Sequence, residues 1–285
     1  MAADTKANEE RVRAEWMDDA NAEGWRRWHD KSVKFWRELT DVMVDLAQLE
    51  PSHRVLDLAS GTGDPALTLA GHLSAGGHIV LTDLSPRMMD IAREYAARDG
   101  VRNASFDTVD AHTLPYPDAS FDRVTCRLGV MYFWNCQSAL CEVRRALKPG
   151  GRAAFLAWGP RSENEYMRAA LGPFKVRRPF PDPAPDAPQP YRFSRPGSLS
   201  AELKAAGFTE VSEETRTLRL AWPGPADELW RRLYEISAPM RPYFNSFTDE
   251  ERKAAIKEVI ANLSKYDQDG EVVTRAPIVL AAAVR

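Results

Sequence analysis

Cysteine is scarce: three occur in 285 residues, Cys126, Cys136 and Cys141, with no C-x-x-C spacing and one left over from any pairing. That argues against a disulfide scaffold or a zinc site and for reduced thiols in the cytoplasm. An excess of one charge is lacking as well. Lys and Arg number 38 against 41 Asp and Glu, the net charge is −3, and the basic residues are spread along the chain. A nucleic-acid surface is therefore not expected. No apolar run approaches a membrane span, and the opening MAADTKANEE has no signal-peptide core. No carboxylate cluster stands out for a metal. What remains is enough chain for a full core, as one large domain or a domain plus cap.

The informative stretch is Val55 to Ala70, VLDLASGTGDPALTLA. Val55-Leu56-Asp57-Leu58 reads as a buried parallel strand with an acid inside it. Ser60-Gly61-Thr62-Gly63 supplies a turn in which backbone can come close to a ligand without a Cβ in the way. Asp64 is a candidate N-cap and Pro65 a candidate first helical residue. Strand, glycine turn and helix make a nucleotide-type site at the carboxyl edge of a parallel sheet. Gly61, Gly63 and Ala66 also fit the dinucleotide pattern, which admits NAD, FAD or S-adenosylmethionine (SAM). Asp57 separates these. Either it braces the turn, or it reaches the turn amides or, through water, a ligand ammonium. A diphosphate beside Asp57 and Asp64 would be repelled; a cationic sulfonium amino acid would not.

Downstream, His78 to Thr82 reads as a second strand ending at Asp83, with Ser85 and Pro86 opening a helix that Gly100 stops. An acid at that strand tip suits two ribose hydroxyls; its other reading is a helix cap. Leu84 and Met88 would flank the ribose and adenine. Further strands are expected at 104–109, 121–126, 152–158, 211–220 and 277–284. Six prolines lie between Phe180 and Gly197, so that stretch is an extended loop. Two helices should follow, one showing Trp230, Leu233 and Ile236, the other opening with a Thr248…Glu251 capping box.

The glycine-turn segment resembles motif I of the class I SAM-dependent methyltransferases. Leu81-Thr82-Asp83-Leu84, Val109-Asp110-Ala111, Leu114-Pro115-Tyr116, Ser120-Phe121-Asp122 and Leu147-Lys148-Pro149-Gly150-Gly151 follow in the family's order. Within the class the chain is most similar to the ubiquinone/menaquinone-biosynthesis C-methyltransferases. The resemblance implies an α/β, Rossmann-like, seven-stranded, mostly parallel sheet with an antiparallel last strand, plus a helical cap. It implies SAM as cofactor, with Asp110 accepting from the adenine amino group and the Ala111 amide donating to the ring. The relatives follow the glycine after the fourth strand with one residue and an Arg-Asn pair. Here Gly129 precedes Val130-Met131-Tyr132, which argues against a quinone precursor. The expected layout is a helical lid (1–50), a SAM-binding core (51–160, completed by 198–221 and 271–285), a proline-rich insertion (161–197) and a helical cap (222–270).

Residues 1 to 15 are polar and expected to be mobile. Glu15 to Leu49 reads as helix with Trp36, Leu39, Met43 and Leu46 on one face. Its tryptophans either pack on the sheet or form a lid; on the lid reading Trp36 touches the cofactor and Trp25 and Trp28 the acceptor. Met131 and Tyr132 are further acceptor-side candidates. Arg127 either pairs with a ligand carboxylate or is surface charge. His29 has the pKa of a general base, against the reading of an exposed helix histidine. His53, His72, His78 and His112 have no better claim. Cys126 is a redox thiol or a small buried apolar residue. The expected activity is in-line methyl transfer to carbon or oxygen of a small, partly apolar metabolite. The alternatives are a SAM-binding regulatory or scaffold protein, or an NAD(P)-dependent oxidoreductase.

Overall fold

A computed structural model describes residues 2–74, 76–180, 183–184 and 186–285. The chain opens with four helices, α1 (Ala2–Trp16), α2 (Asp19–Arg27), α3 (His29–Phe35) and α4 (Arg37–Ala47). The core alternates β1 (Arg54–Leu58), α5 (Ala66–Ala70), β2 (His78–Asp83), α6 (Pro86–Arg98), β3 (Ala104–Thr108), β4 (Phe121–Arg127), α7 (Cys136–Ala146) and β5 (Leu147–Trp158). Then come α8 (Glu165–Arg177), α9 (Ser198–Ala205), β6 (Thr209–Trp222), α10 (Ala226–Ile236), α11 (Arg241–Asn245), α12 (Asp249–Ser264), β7 (Asp267–Gln268) and β8 (Glu271–Val284). The sheet order is β3-β2-β1-β4-β5-β8-β6, with β7 paired to β8. β1 to β5 are mutually parallel, and β8 runs antiparallel to both neighbours. This is the expected Rossmann-like sheet, with the short β7 as an eighth strand. β7 forms a hairpin with β8 around Asp269-Gly270, whose φ values of 54° and 86° suit the tight turn that an Asp-Gly pair favours.

Several boundaries differ from expectation, for physical reasons. The expected mobile N-terminus is α1, which buries Val12 and is fastened by Arg13 to Asp110. The single helix expected over 15–49 is broken at Asp18, Trp28 and Trp36, so that its tryptophans leave in different directions. About a third of the expected insertion is α8, packed on α12 despite Pro173; Phe180–Gly197 carries no helix or strand among the described residues. β8 begins six residues before Pro277, because that proline lies just past the end of β5, where no ladder partner needs its missing N–H. The capping box of α12 is formed as the sequence indicates, and α10 buries Trp230, Leu233 and Ile236.

Candidate active site

A cavity opens at the carboxyl ends of β1, β2 and β4, as a parallel sheet dictates, and α1 to α3 roof it. Ser60, Gly61 and Thr62 form its floor. The turn is fixed from below: the Ser60 hydroxyl donates to the Asp57 carbonyl at 3.0 Å, and the Thr82 hydroxyl to the same carbonyl at 2.8 Å. Gly61 has φ +54°, and a Cβ there would meet no protein atom within 4 Å. An open cradle of this kind accepts a ligand at backbone distance. Gly63 plays another part: with φ +107° it packs on Leu67 and lies off the cavity. Asp64 does not cap the helix. Pro65 occupies the N-cap without a side-chain bond, while the Asp64 carboxylate pairs with Arg127 Nη2 at 2.6 Å.

Acids ring the floor. Asp83 accepts from the Gly61 amide through Oδ2 and the Ser85 amide through Oδ1, both at 2.9 Å, and burial raises its pKa. It is thus helix brace and cavity wall at once; each oxygen keeps a lone pair for a hydroxyl. Leu84 and Met88 line the same side. Asp110 and Ala111 lie at the far end, but the Asp110 carboxylate is engaged. Arg13 Nη2 donates to Oδ2 at 2.6 Å, and the His112 amide and ring Nδ1 approach Oδ1 at 2.9 and 2.6 Å. The His112 ring stacks on Trp134 at 3.9 Å, and its Nε2 accepts from the Asn135 amide.

Asp57 corrects the sequence reading. Its carboxylate does not reach the turn amides and is absent from the cavity wall. It is fully buried, Oδ1 accepts from the Thr125 hydroxyl at 2.5 Å, and Oδ2 has no partner. Burial raises its pKa to about 6. A second carboxylate oxygen, Asp64 Oδ1, is likewise buried and unmatched. Two unmatched acidic oxygens at this turn suit a cationic ligand and oppose a diphosphate. Arg127 is not surface charge: it is buried between Asp64 and the Thr40 hydroxyl, the latter at 2.7 Å.

The roof is aromatic. Trp25 and Trp36 line the cavity, joined by Trp16, whose ring meets Tyr132 edge-on at 4.9 Å. Trp28 and Met131 are corrections. Trp28 turns away to pack on Trp222 and donates Nε1 to Glu235 at 2.7 Å, because the break ahead of α3 rotates it outward. Met131 is buried in the core, since the 130–132 turn places Tyr132 toward the cavity instead. His29 is not exposed. Its Nδ1 lies 2.9 Å from the Thr62 hydroxyl, its ring stacks on Tyr95 at 3.7 Å, and burial lowers its pKa. Cys126 is a buried core residue whose thiol pKa burial pushes up. Sequence reasoning missed Ser32, His112 and Trp134 on the cavity wall. It also missed the positive φ of Ala59 (53°) and Leu128 (58°), which end β1 and β4 at the site.

The sheet order and the glycine cradle flanked by Asp57 and Asp83 define a Rossmann-like protein built for a nucleoside cofactor. Residues 55–151 match the family model described as "Methyltransferase domain". The chain is 35% identical over 181 residues to demethylmenaquinone methyltransferase of Thermus thermophilus, covering 58% of this chain and 79% of that protein. It is 26% identical over 257 residues to nocamycin O-methyltransferase of Saccharothrix syringae, covering 86% and 90%. It spans between 47% and 57% of three ubiquinone/menaquinone-biosynthesis C-methyltransferases that it also matches. The YcgJ protein of Bacillus subtilis shares the fold, with TM-score 0.56 at 22% identity over 86% of this chain and 97% of that one. The chain belongs to the class I SAM-dependent methyltransferases, and its cofactor is SAM. No helix among the described residues is long and apolar enough to cross a membrane.

Proposed function

We propose that this protein transfers the SAM methyl group to carbon or oxygen of a small, partly apolar metabolite in the cytoplasm. The observation that carries the reading is one cavity with an acid-flanked glycine cradle at its floor and tryptophans at its roof. The residues present fit the cofactor. Gly61 leaves space at the backbone, Asp83 offers two acceptors to a ribose, and Asp64 on the cavity wall has a carboxylate oxygen without a partner, with the buried Asp57 carboxylate behind the turn adding negative field. Val109, Ala111 and Leu128 supply apolar surface for a nucleobase. When bound, SAM supplies a methyl on a positively charged sulfur, an already activated leaving group. The chain's task is to align the acceptor and exclude water; orientation alone contributes roughly 7–11 kcal/mol in favourable intramolecular cases. Trp16, Trp25, Trp36 and Tyr132 do this from the roof. His29 is the candidate base, since burial lowers its pKa and so favours the neutral ring that a base requires. The nocamycin enzyme's name and the absence of an Arg-Asn pair after Gly129 support an acceptor other than a quinone precursor. Three cysteines placed without a disulfide partner among the described residues are compatible with that compartment.

The cavity holds about 160 Å³, less than the roughly 300–1,000 Å³ of a usual ligand site. The roof therefore moves to admit cofactor and acceptor, and α1 is the element latched across it, by Arg13 to Asp110 and by Arg11 to the Pro188 carbonyl at 2.7 Å. The test is calorimetric titration with SAM, S-adenosylhomocysteine and NAD, followed by transfer of labelled methyl from SAM into a metabolite extract. Binding of the first two and label in a small molecule are expected. Binding without transfer would make the protein a SAM-dependent regulator or scaffold, and NAD binding alone would end the reading.

A further inference from the structure

Arg232 of α10 is 1% exposed and forms no ion pair among the described residues. Its guanidinium carbon lies 4.9 Å from the ring centres of Phe35 and Trp36, 5.7 Å from Trp222 and 5.8 Å from Trp25. Nε donates to the Ser32 hydroxyl oxygen at 2.9 Å, and Nη2 has no partner. The ring faces attract the cation, but they do not replace the counter-ion that a buried charge calls for. Burial accordingly lowers its pKa to about 10. The neighbouring Tyr166 hydroxyl is a second polar group that supports the cation, but it brings no negative charge, since burial raises its own pKa.

The wall between Arg232 and the cavity consists of Trp25, Ser32 and Trp36, and all three line the cavity. Ser32 accepts from Arg232, so its own hydrogen remains to be donated into the cavity. Trp25 Nε1 and Trp16 Nε1 are also buried without an acceptor. The unmatched atoms thus sort by sign. At the glycine turn they are carboxylate oxygens; at the roof they are donors backed by a buried cation. We propose that the acceptor methylated here carries an anionic group, a carboxylate or an ionised phenol or enol, seated against Ser32 and Trp25 and neutralised by Arg232. This rests on the methyltransferase reading above and adds the charge of the substrate to it.

The test uses the full chain saturated with S-adenosylhomocysteine and titrated with naphthoate and its neutral isostere naphthamide, followed by tryptophan fluorescence. Naphthoate is expected to bind about tenfold tighter or better. Arg232→Met removes that preference and leaves S-adenosylhomocysteine affinity within about threefold of wild type. Ser32→Asp, which supplies the missing carboxylate from within, also removes the preference and raises Tm; it serves where Arg232→Met does not fold. Equal or absent binding of the two probes overturns the proposal, as does a Ser32→Asp protein that keeps the preference. Variants that keep the preference but lose S-adenosylhomocysteine assign Arg232 to the cofactor's own carboxylate and overturn it too. Wild type that fails to bind S-adenosylhomocysteine overturns the methyltransferase reading together with it.

Discussion

Replacing Asp57 with asparagine should make the protein more stable at neutral pH and worse at holding its cofactor. Asp57 is fully buried, with one oxygen on Thr125 and the other unmatched. Burial raises its pKa from 3.8 to about 6. An acid whose pKa is higher folded than unfolded favours the native state fully below the unfolded value, and that contribution is lost as pH rises through the folded one. Two units at about 1.4 kcal/mol each give roughly 3 kcal/mol of native stability missing above pH 7. Asparagine keeps an acceptor for Thr125 and has no charge, but its amide lacks an acceptor, a cost of about 1 kcal/mol. Asp57→Asn should therefore gain about 2 kcal/mol in urea unfolding at pH 7.5, with the gain shrinking toward pH 5. Calorimetry on the same protein should show weaker binding of SAM and S-adenosylhomocysteine, because a buried charge behind the glycine turn, acting through its field and not by contact, is lost. An Asp57→Asn protein no more stable than wild type at every pH would falsify the argument that this carboxylate is held charged against its own fold.

Asp83→Ala removes the acceptor shared by the Gly61 and Ser85 amides; SAM affinity should fall by about 1–3 kcal/mol in calorimetry, and an unchanged Kd in folded protein refutes the ribose assignment. Gly61→Ala and Gly63→Ala should part company. Gly61→Ala costs only about 1–2 kcal/mol of stability but puts a methyl where the cavity is open, so cofactor affinity drops more than Tm. At Gly63 a Cβ would lie 2.7 Å from Leu67 Cδ1 at φ +107°, so Tm falls first; matched losses in the two variants would sink the cradle. Arg13→Ala frees Asp110 from a half-exposed ion pair worth about 0.2–1 kcal/mol. Stopped-flow association of S-adenosylhomocysteine should quicken by up to about fivefold, and an unaltered rate means that α1 is not the gate. His29→Phe should lower kcat by about 100-fold or more if a base is needed, whereas an unaffected kcat leaves alignment as the whole of catalysis.

Legibility followed the range of the forces involved. The strand–turn–helix unit was readable because its signals are local: an apolar run, two glycines for positive φ, and acids at fixed offsets. Asp83 is readable for the same reason, sitting at the tip of β2. The breaks at Trp28 and Trp36 were not, because those helix ends carry no side-chain cap and are set by packing on the sheet. That rotation sends Trp28 outward to Glu235 and brings Ser32 to the wall, a reversal that residue spacing alone does not reveal. Asp64 carries a capping residue's signature, yet Arg127, 63 positions away, draws it off the helix.

By itself the sequence determined the sheet, the cofactor and the glycine turn with Asp83 at the neighbouring strand tip, because contacts between near neighbours in the chain specify a βα unit almost completely. The tertiary structure alone decided which aromatics roof the cavity, that Arg13 stands on Asp110, and that Arg232 is enclosed without a counter-ion. Each of these joins residues far apart in the chain, Ser32 and Arg232 being 200 positions apart. Burial, which turns a distant guanidinium into a strong local charge, exists only once the chain has closed around it.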